Sequence, residues 1–313
     1  MKQTVFVFPG QGSQYVGMGR DFYDHDHRAR AIFQLADEVL GFELSKLCFE
    51  GSAEELQKTE YAQPAILTVS VVCLEMLRQS GLRPVAAAGH SLGEYAALVA
   101  AGSLAFTDAV RLVRQRGRFM QEAVPLGLGG MVAVLGLDGP DVVNVCRQAR
   151  SVGIVEAANL NCPGQVVIAG ELKALEQAAK LAREAGARRC LDLPVSAPFH
   201  SSMMQPAGLR LAEELAGVPV ADPQIKVIAN VSADYVNSAL AIKTNLVAQV
   251  SSPVRWEELV RRLLADNLTT FVEVGPGKVL TGLIRKIDKN VVTCNVEDRG
   301  SLECVLALLG KDD

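Results

Sequence analysis

The chain has 313 residues, 49 % of them hydrophobic and 21 % charged, an ordinary balance for a soluble globular protein of one large or two modest domains. A formal net charge of −4 gives no electrostatic case for nucleic acid or an anionic membrane, so any cationic group that binds an anion has to be local. The seven cysteines (48, 73, 146, 162, 190, 294 and 304) contain no C-x-x-C pair, which argues against a zinc site or a disulfide framework and fits a reduced, cytoplasmic compartment.

Met1-Lys2-Gln3 leads straight into Thr4-Val5-Phe6-Val7-Phe8, too short for a signal peptide and apolar enough for a first buried strand. No apolar run is expected to reach the roughly 20 residues of a membrane span. Phe8-Pro9-Gly10-Gln11-Gly12-Ser13-Gln14 follows the strand. Its glycines flank Gln11, so a backbone N–H there can approach a ligand. Tyr15 stands where a dinucleotide fingerprint demands its third glycine. His25 and His27 lie in a polar run read as a solvated turn ahead of a helix over 28–40. A further helix is expected over 63–80.

Val85 to Gly93 reads V-A-A-A-G-H-S-L-G and meets the helical pattern Glu94-Tyr95-Ala96-Ala97-Leu98-Val99-Ala100. This is a G-x-S-x-G nucleophile elbow in its strand-to-helix context. A Cβ at either glycine would crowd the neighbouring backbone. Ser91 is then exposed at a helix start, where the N–H of Leu92 and one from the Gln11 loop can hold an oxyanion. The next helix, 106–123, carries Arg111, Arg114, Arg116 and Arg118. Most such arginines are solvated, but one facing the cleft could clamp a carboxylate with two parallel hydrogen bonds.

Pro125 to Gly130 is a glycine-rich hinge. Beyond it the pattern reads strand 131–135, helix 140–149, strand 154–159, strand 165–169, helix 172–185 and strand 188–193, a ferredoxin-like β-α-β-β-α-β order. The fold expected is therefore α/β: a large α/β-hydrolase-like domain from residues 1–125 and 196–313, with a small ferredoxin-like domain from 126–195 inserted in it. A cleft between the two is the natural ligand site. After the insertion the chain resumes with strands at 226–229, 270–274 and 291–295 and helices at 240–250, 255–266 and 278–287.

Ser91 needs a base, and the chain has four histidines. His25 and His27 are in the polar run, and the elbow turn aims His90 away from Ser91. By elimination the base is His200, in Val195-Ser196-Ala197-Pro198-Phe199-His200. Glu273 and Asp192 are candidates for an orienting acid, though nothing in their spacing selects them, and a backbone carbonyl could orient the ring instead. Val274-Gly275-Pro276-Gly277-Lys278 lacks the spacing of a phosphate loop and reads as a turn into a helix.

Taken together, G-Q-G-S-Q, G-H-S-L-G-E-Y-A-A-L, Q-R-G-R-F-M-Q and S-A-P-F-H closely resemble the bacterial malonyl-CoA:acyl carrier protein transacylases, essentially end to end. The resemblance implies that Ser91 is the nucleophile and His200 the base, that Arg116 binds the malonyl carboxylate, and that Gln11 and Leu92 form the oxyanion hole. It further implies that Gln249, before Pro253-Val254-Arg255-Trp256, lines the site and that its neighbouring backbone helps to orient the histidine. Asn161, in Ala158-Asn159-Leu160-Asn161-Cys162, would border the cleft, and Phe199 would crowd an α-methyl group and so favour malonyl units. The activity implied is malonyl transfer from a coenzyme A thioester to acyl carrier protein in fatty-acid synthesis, with no metal or redox cofactor. A discrete malonyltransferase of a polyketide or malonate-decarboxylase system would share these motifs. A serine esterase would share the elbow but usually adds an acid and has no use for a buried arginine. A non-catalytic carrier-binding module would have no reason to keep Ser91, His200 and Arg116 together.

Overall fold

The computed structural model describes residues 3–195 and 197–310. Ser196, where the S-A-P-F-H loop and the expected return to the large domain begin, lies outside the described residues, as do residues 1–2 and 311–313. Among the described residues ten strands form two sheets: β1 (Thr4–Phe8), β2 (Ala86–Gly89), β3 (Gly129–Leu135), β4 (Val155–Cys162), β5 (Gln165–Glu171), β6 (Arg189–Asp192), β7 (Lys226–Ile228), β8 (Tyr235–Val236), β9 (Thr270–Val274) and β10 (Val292–Val296).

The larger sheet runs β10-β9-β1-β2-β7-β8. It is parallel except for the short β8. A parallel sheet is covered on both faces, which is why β1 and β9 are buried at every position rather than alternately. The strand period of two sends Phe6 and Phe8 into one core and Val5 and Val7 into the other. β2 is Ala-Ala-Ala-Gly. These small side chains let the helix that follows close directly onto the sheet.

The smaller sheet is antiparallel, order β4-β5-β3-β6. Counted within this segment the order is 2-3-1-4, the ferredoxin-like arrangement. Helices Gly139–Ala149 and Leu172–Glu184 cover one face over a separate core of Val134, Val142, Ile168 and Ala178. The β4–β5 register slips between Ala157 and Asn159 and again between Leu160 and Cys162. There β4 also bonds outward to the large unit, with Leu160 N–H donating to the Val254 carbonyl at 2.9 Å and Val254 N–H to that of Ala158 at 2.8 Å.

Helix Thr59–Gln79 is long and apolar enough to cross a membrane by length and composition, contrary to the expectation that no such run exists. Its 18-residue window is 83 % buried inside the protein, so it is a core helix. It starts four residues before the sequence pattern suggested, because Pro64 lies inside it. Proline has no N–H to give the Glu60 carbonyl. Arg114 supplies the missing donor at 2.9 Å, tying this helix to Phe106–Glu122. Gly117 allows the close approach, since a Cβ there would lie 2.7 Å from the Thr59 carbonyl oxygen.

The run around His25 and His27 is not a turn. Arg20–His25 is a short helix, and Asp26 caps the next one, His27–Leu40, through the N–H groups of Arg28 and Ala29. His25 Nδ1 sits 2.8 Å from the Asp21 carbonyl. Three other helices without a clear apolar period, Leu44–Glu50, Ala53–Gln57 and Arg299–Leu309, were also not expected.

Candidate active site

β2 ends at Gly89, and helix Gly93–Ala100 begins four residues later. Two close approaches make that turn possible. A Cβ on Gly89 would lie 1.9 Å from the Gly93 carbonyl carbon, and one on Gly93 would lie 2.0 Å from the Phe8 carbonyl oxygen. Between them Ser91 is held at φ 51°, a left-handed conformation that costs a non-glycine residue about 1–2 kcal/mol and persists only where surroundings enforce it. Asn230 is the enforcing group. Its Oδ1 accepts from Ser91 N–H at 2.6 Å and its Nδ2 donates to the Gly89 carbonyl at 2.6 Å.

His200 lies 2.7 Å from Ser91 Oγ through Nε2, and its Nδ1 is 2.9 Å from the Gln249 carbonyl. A carbonyl only accepts, so Nδ1 carries the proton and Nε2 faces Ser91 with a lone pair. Burial, and after it the Arg116 charge, pushes His200 down to about 3. The ring is therefore neutral at physiological pH. It too has positive φ, 61°. Neither expected acid reaches it. Glu273 accepts from Leu280 and Thr281 N–H and so starts helix Val279–Ile287, while Asp192 lies on β6, the edge strand of the small sheet.

Of the four arginines on helix Phe106–Glu122, only Arg116 is buried, at 1 % exposure. Arg111 and Arg118 form exposed pairs with Asp108 and Glu122. Arg114 pairs with Glu60 and lies over Phe42 and Tyr61. Arg116 Nη2 donates to Ser91 Oγ at 3.1 Å and to Gln249 Oε1 at 2.9 Å, and Nη1 donates to Gln63 Oε1 at 2.8 Å. The guanidinium also sits over the Tyr95 ring. Its Nε is buried and has no partner among the described residues. Ser91 Oγ thus accepts from a cation while donating to His200.

A cavity of about 230 Å³ opens over these groups, lined by Gln11, Leu92, Phe199, Met120, Asn159, Ser91, His200 and Arg116 among others. A larger recess of about 790 Å³, lined mainly by residues of 54–60, 121–126 and 193–195, shares Gln11, Gln57 and Leu193–Val195 with it. Gln11 Nε2 donates to Thr59 Oγ1 at 3.2 Å. Asn161 is placed differently from the expectation. It does not line the cavity. Its Oδ1 is 2.9 Å from Nε2 of His90, and Asn159 borders the cavity instead. His90 borders the same cavity, with its ring 5.6 Å from that of Trp256, and burial pushes its pKa down. Gln249 likewise acts from behind the cavity wall rather than lining it; its own carbonyl lies 2.9 Å from His200 Nδ1, and the neighbouring backbone of Ser252 also bonds the ring.

With this geometry in hand, comparison with known proteins is specific. Residues 5–303 match the acyl transferase domain family. The chain belongs to that family. It is similar to the malonyl CoA-acyl carrier protein transacylase of Bacillus subtilis strain 168, at 48 % identity over 100 % of this chain and 99 % of the relative. The enzyme of the same name from Escherichia coli K12 is 44 % identical over 98 % and 100 %. Among solved structures, an acyl-carrier-protein S-malonyltransferase from Burkholderia pseudomallei 1710b superposes with a TM-score of 0.95 at 48 % identity, covering 97 % and 99 %. A malonyl-transacylase solved in complex with its type II PKS acyl-carrier protein superposes with 0.96 at 42 % identity, covering 98 % and 100 %. The resemblance read from the motifs, and the α/β fold with it, is borne out.

Three members of this acyl transferase site escaped the sequence reading: Glu94, Asn230 and Gln63. Glu94 left the plainest signal, a lone carboxylate in the apolar run E-Y-A-A-L-V-A. Asn230 follows β7 directly, a polar residue at the carboxyl end of a parallel strand, where ligand sites of open α/β sheets gather.

Proposed function

We propose that this chain transfers the malonyl group of malonyl-CoA to the phosphopantetheine thiol of acyl carrier protein through a malonyl-Ser91 ester. The observation that carries the reading is the 3.1 Å contact of buried Arg116 with Ser91 Oγ. A cation beside the nucleophile, bonded among the described residues to neutral side chains, is suited to an acyl group ending in a carboxylate. It would be an expense without purpose for a neutral ester.

Ser91 gives its proton to His200 Nε2 as Oγ attacks the thioester carbonyl. Backbone N–H groups of Gln11 and Leu92 hold the oxyanion. As the C–S bond breaks, His200 returns the proton to the coenzyme A thiolate. In the second half the carrier thiol gives its proton to His200, attacks the ester, and Ser91 recovers the proton as the C–O bond breaks. The malonyl carboxylate on Arg116 offsets the charge that depresses His200, so the correct substrate strengthens its own base. Thioester is exchanged for thioester, a reaction that calls for no metal or redox cofactor. Phe199 on the cavity wall favours an unbranched α-carbon.

The proposal extends to organisation and place. Residues 126–195 form a small domain inserted between 1–125 and 196–313, which the separate core around Val134 and Ile168 supports. A cytoplasmic setting is supported by the seven free cysteines. Fatty-acid synthesis is the pathway proposed. Brief exposure to malonyl-CoA tests the whole reading: intact mass should rise by one malonyl group, located on Ser91 by peptide mapping and absent in Ser91→Ala. Label on a cysteine, or undiminished label in Ser91→Ala, overturns it.

A further inference from the structure

Glu94 is 3 % exposed, and no reacting group touches it. One of its oxygens, Oε2, accepts from Gln249 Nε2 at 2.7 Å and from Asn230 N–H at 3.0 Å. Those two residues hold the rest of the site. Gln249 takes the His200 Nδ1 proton on its carbonyl, accepts from Arg116 on Oε1 and donates to the Ser91 carbonyl at 3.0 Å. Asn230 clamps the strained elbow from Ser91 N–H to Gly89 carbonyl. We propose that Glu94 is the positioning residue of this site, fixing nucleophile, base and arginine relative to one another through Gln249 and Asn230.

The charge of Glu94 matters as well as its reach. The Gln249 amide lies between Arg116 and Glu94, its oxygen toward the cation and its nitrogen toward the anion. Glu94 thereby supports the buried guanidinium without occupying the nitrogens that meet substrate, which a directly paired carboxylate would do. A neutral Gln at 94 could accept the same two donors, but bonds to an ionised acceptor are roughly twice as strong. Burial raises Glu94 to about 7, while the Asn230 and Gln249 donors and the Arg116 charge act in the opposite direction. The titratable groups around this network are Arg116, Tyr95, His200 and His90. Of these His200 and His90 are shifted down, away from neutrality, and Tyr95 is shifted up.

The inference rests on acylation of Ser91 from malonyl-CoA, so the test reads that step in rapid-mixing single turnovers of the full chain, with amplitude and rate constant recorded separately. Glu94→Gln should lower the rate constant per acylated site by about 10- to 100-fold, with the KM for malonyl-CoA changed less than about threefold. In the wild-type protein the rate constant should fall as pH drops through about 7, and Glu94→Gln should lack that limb. Glu94→Asp keeps the charge at shorter reach, so it should retain the limb at an intermediate rate, and it decides the matter if the glutamine variant does not fold. A variant with reduced amplitude but the wild-type rate constant, or with a lower rate constant and an unmoved pH profile, overturns the proposal. A wild-type chain that malonyl-CoA does not acylate strikes the functional reading instead.

Discussion

His200 gives its Nδ1 proton to the backbone carbonyl of Gln249, 2.9 Å away, at the end of helix Ala239–Gln249. A carbonyl fixes the tautomer as firmly as a carboxylate would, but it brings no negative charge to stabilise an imidazolium. Buried, with Arg116 beside it and no anion among the described residues bonded to it, the free-state ring is held neutral. The cost falls on basicity, and in the proposed mechanism a substrate carboxylate on Arg116 offsets the part of it that the guanidinium charge causes.

His200→Ala should therefore lose roughly 10²–10⁴-fold in the rate of Ser91 malonylation, the usual contribution of a general base. His90→Ala removes the bond to Asn161 and the packing near Trp256. It should lower the urea midpoint while leaving a folded fraction with a nearly normal rate constant. A larger kinetic loss at His90 would exchange the two assignments.

The same histidine makes stability depend on pH with a definite sign. Its folded value of about 3 lies below the ordinary value of about 6.5, so the unfolded chain binds the proton first as pH falls. The contribution is present above about 6.5 and lost toward 3. Glu94, raised to about 7, runs the other way, its contribution present below the ordinary carboxylate range and lost as pH rises through 7. His200→Gln removes the first effect alone. Urea midpoints compared at pH 7.5 and pH 5 should shift in favour of the variant at the lower pH, and a constant difference would contradict the neutral buried ring.

Much of this site is written locally in the chain, and the rest is not, for a physical reason. Ser91, Gly89 and Gly93 are legible because one tight turn needs all three within five residues. The alternating pattern after Gly130 is legible because each strand and helix there has one face on a small core. Gln63, Asn230 and Gln249 are polar residues whose meaning lies in what the fold brings to them, from helix Thr59–Gln79, from the segment after β7 and from the end of helix Ala239–Gln249. The resemblance supplied Gln249 but placed it on the cavity wall, whereas it reaches the reacting groups from behind. Asn161, which the resemblance put at the cleft, meets His90 where the β4 register slips, and a one-residue slip turns a side chain to the opposite face.

Gly93→Ala should be far more damaging than Gly12→Ala. The new methyl at 93 would sit 2.0 Å from a backbone oxygen of β1, which cannot retreat without breaking the central strand pairing. At Gly12 nothing lies within 4 Å, and only the φ of +101° is unfavourable, a cost of about 1–2 kcal/mol. Soluble yield and urea midpoint measure both. A well-folded Gly93→Ala would mean that the elbow tolerates separation from Phe8.

In the proposed mechanism Arg116 is what separates a malonyl enzyme from a general acyltransferase. Its Nη2 reaches Ser91 Oγ, and among the described residues it has no direct carboxylate partner, so an acyl group on Ser91 that ends in a carboxylate meets an unpaired guanidinium. Removing one partner of a desolvated pair costs about 3–5 kcal/mol, or about 10²–10³-fold in kcat/KM. Arg116→Ala should lose that factor with malonyl-CoA. Acetyl-CoA offers no carboxylate and should be affected much less, through the lost hydrogen bonds to Ser91 Oγ, Gln249 and Gln63, so the malonyl-over-acetyl preference should narrow by most of the full factor. Arg111→Ala, at an exposed pair, should leave the preference unchanged. Arg114→Ala loses its contacts with Glu60 and the Phe42 and Tyr61 rings and should lower stability without altering selectivity. Equal losses of Arg116→Ala on both thioesters would show that the arginine holds the nucleophile in place rather than reading the carboxylate.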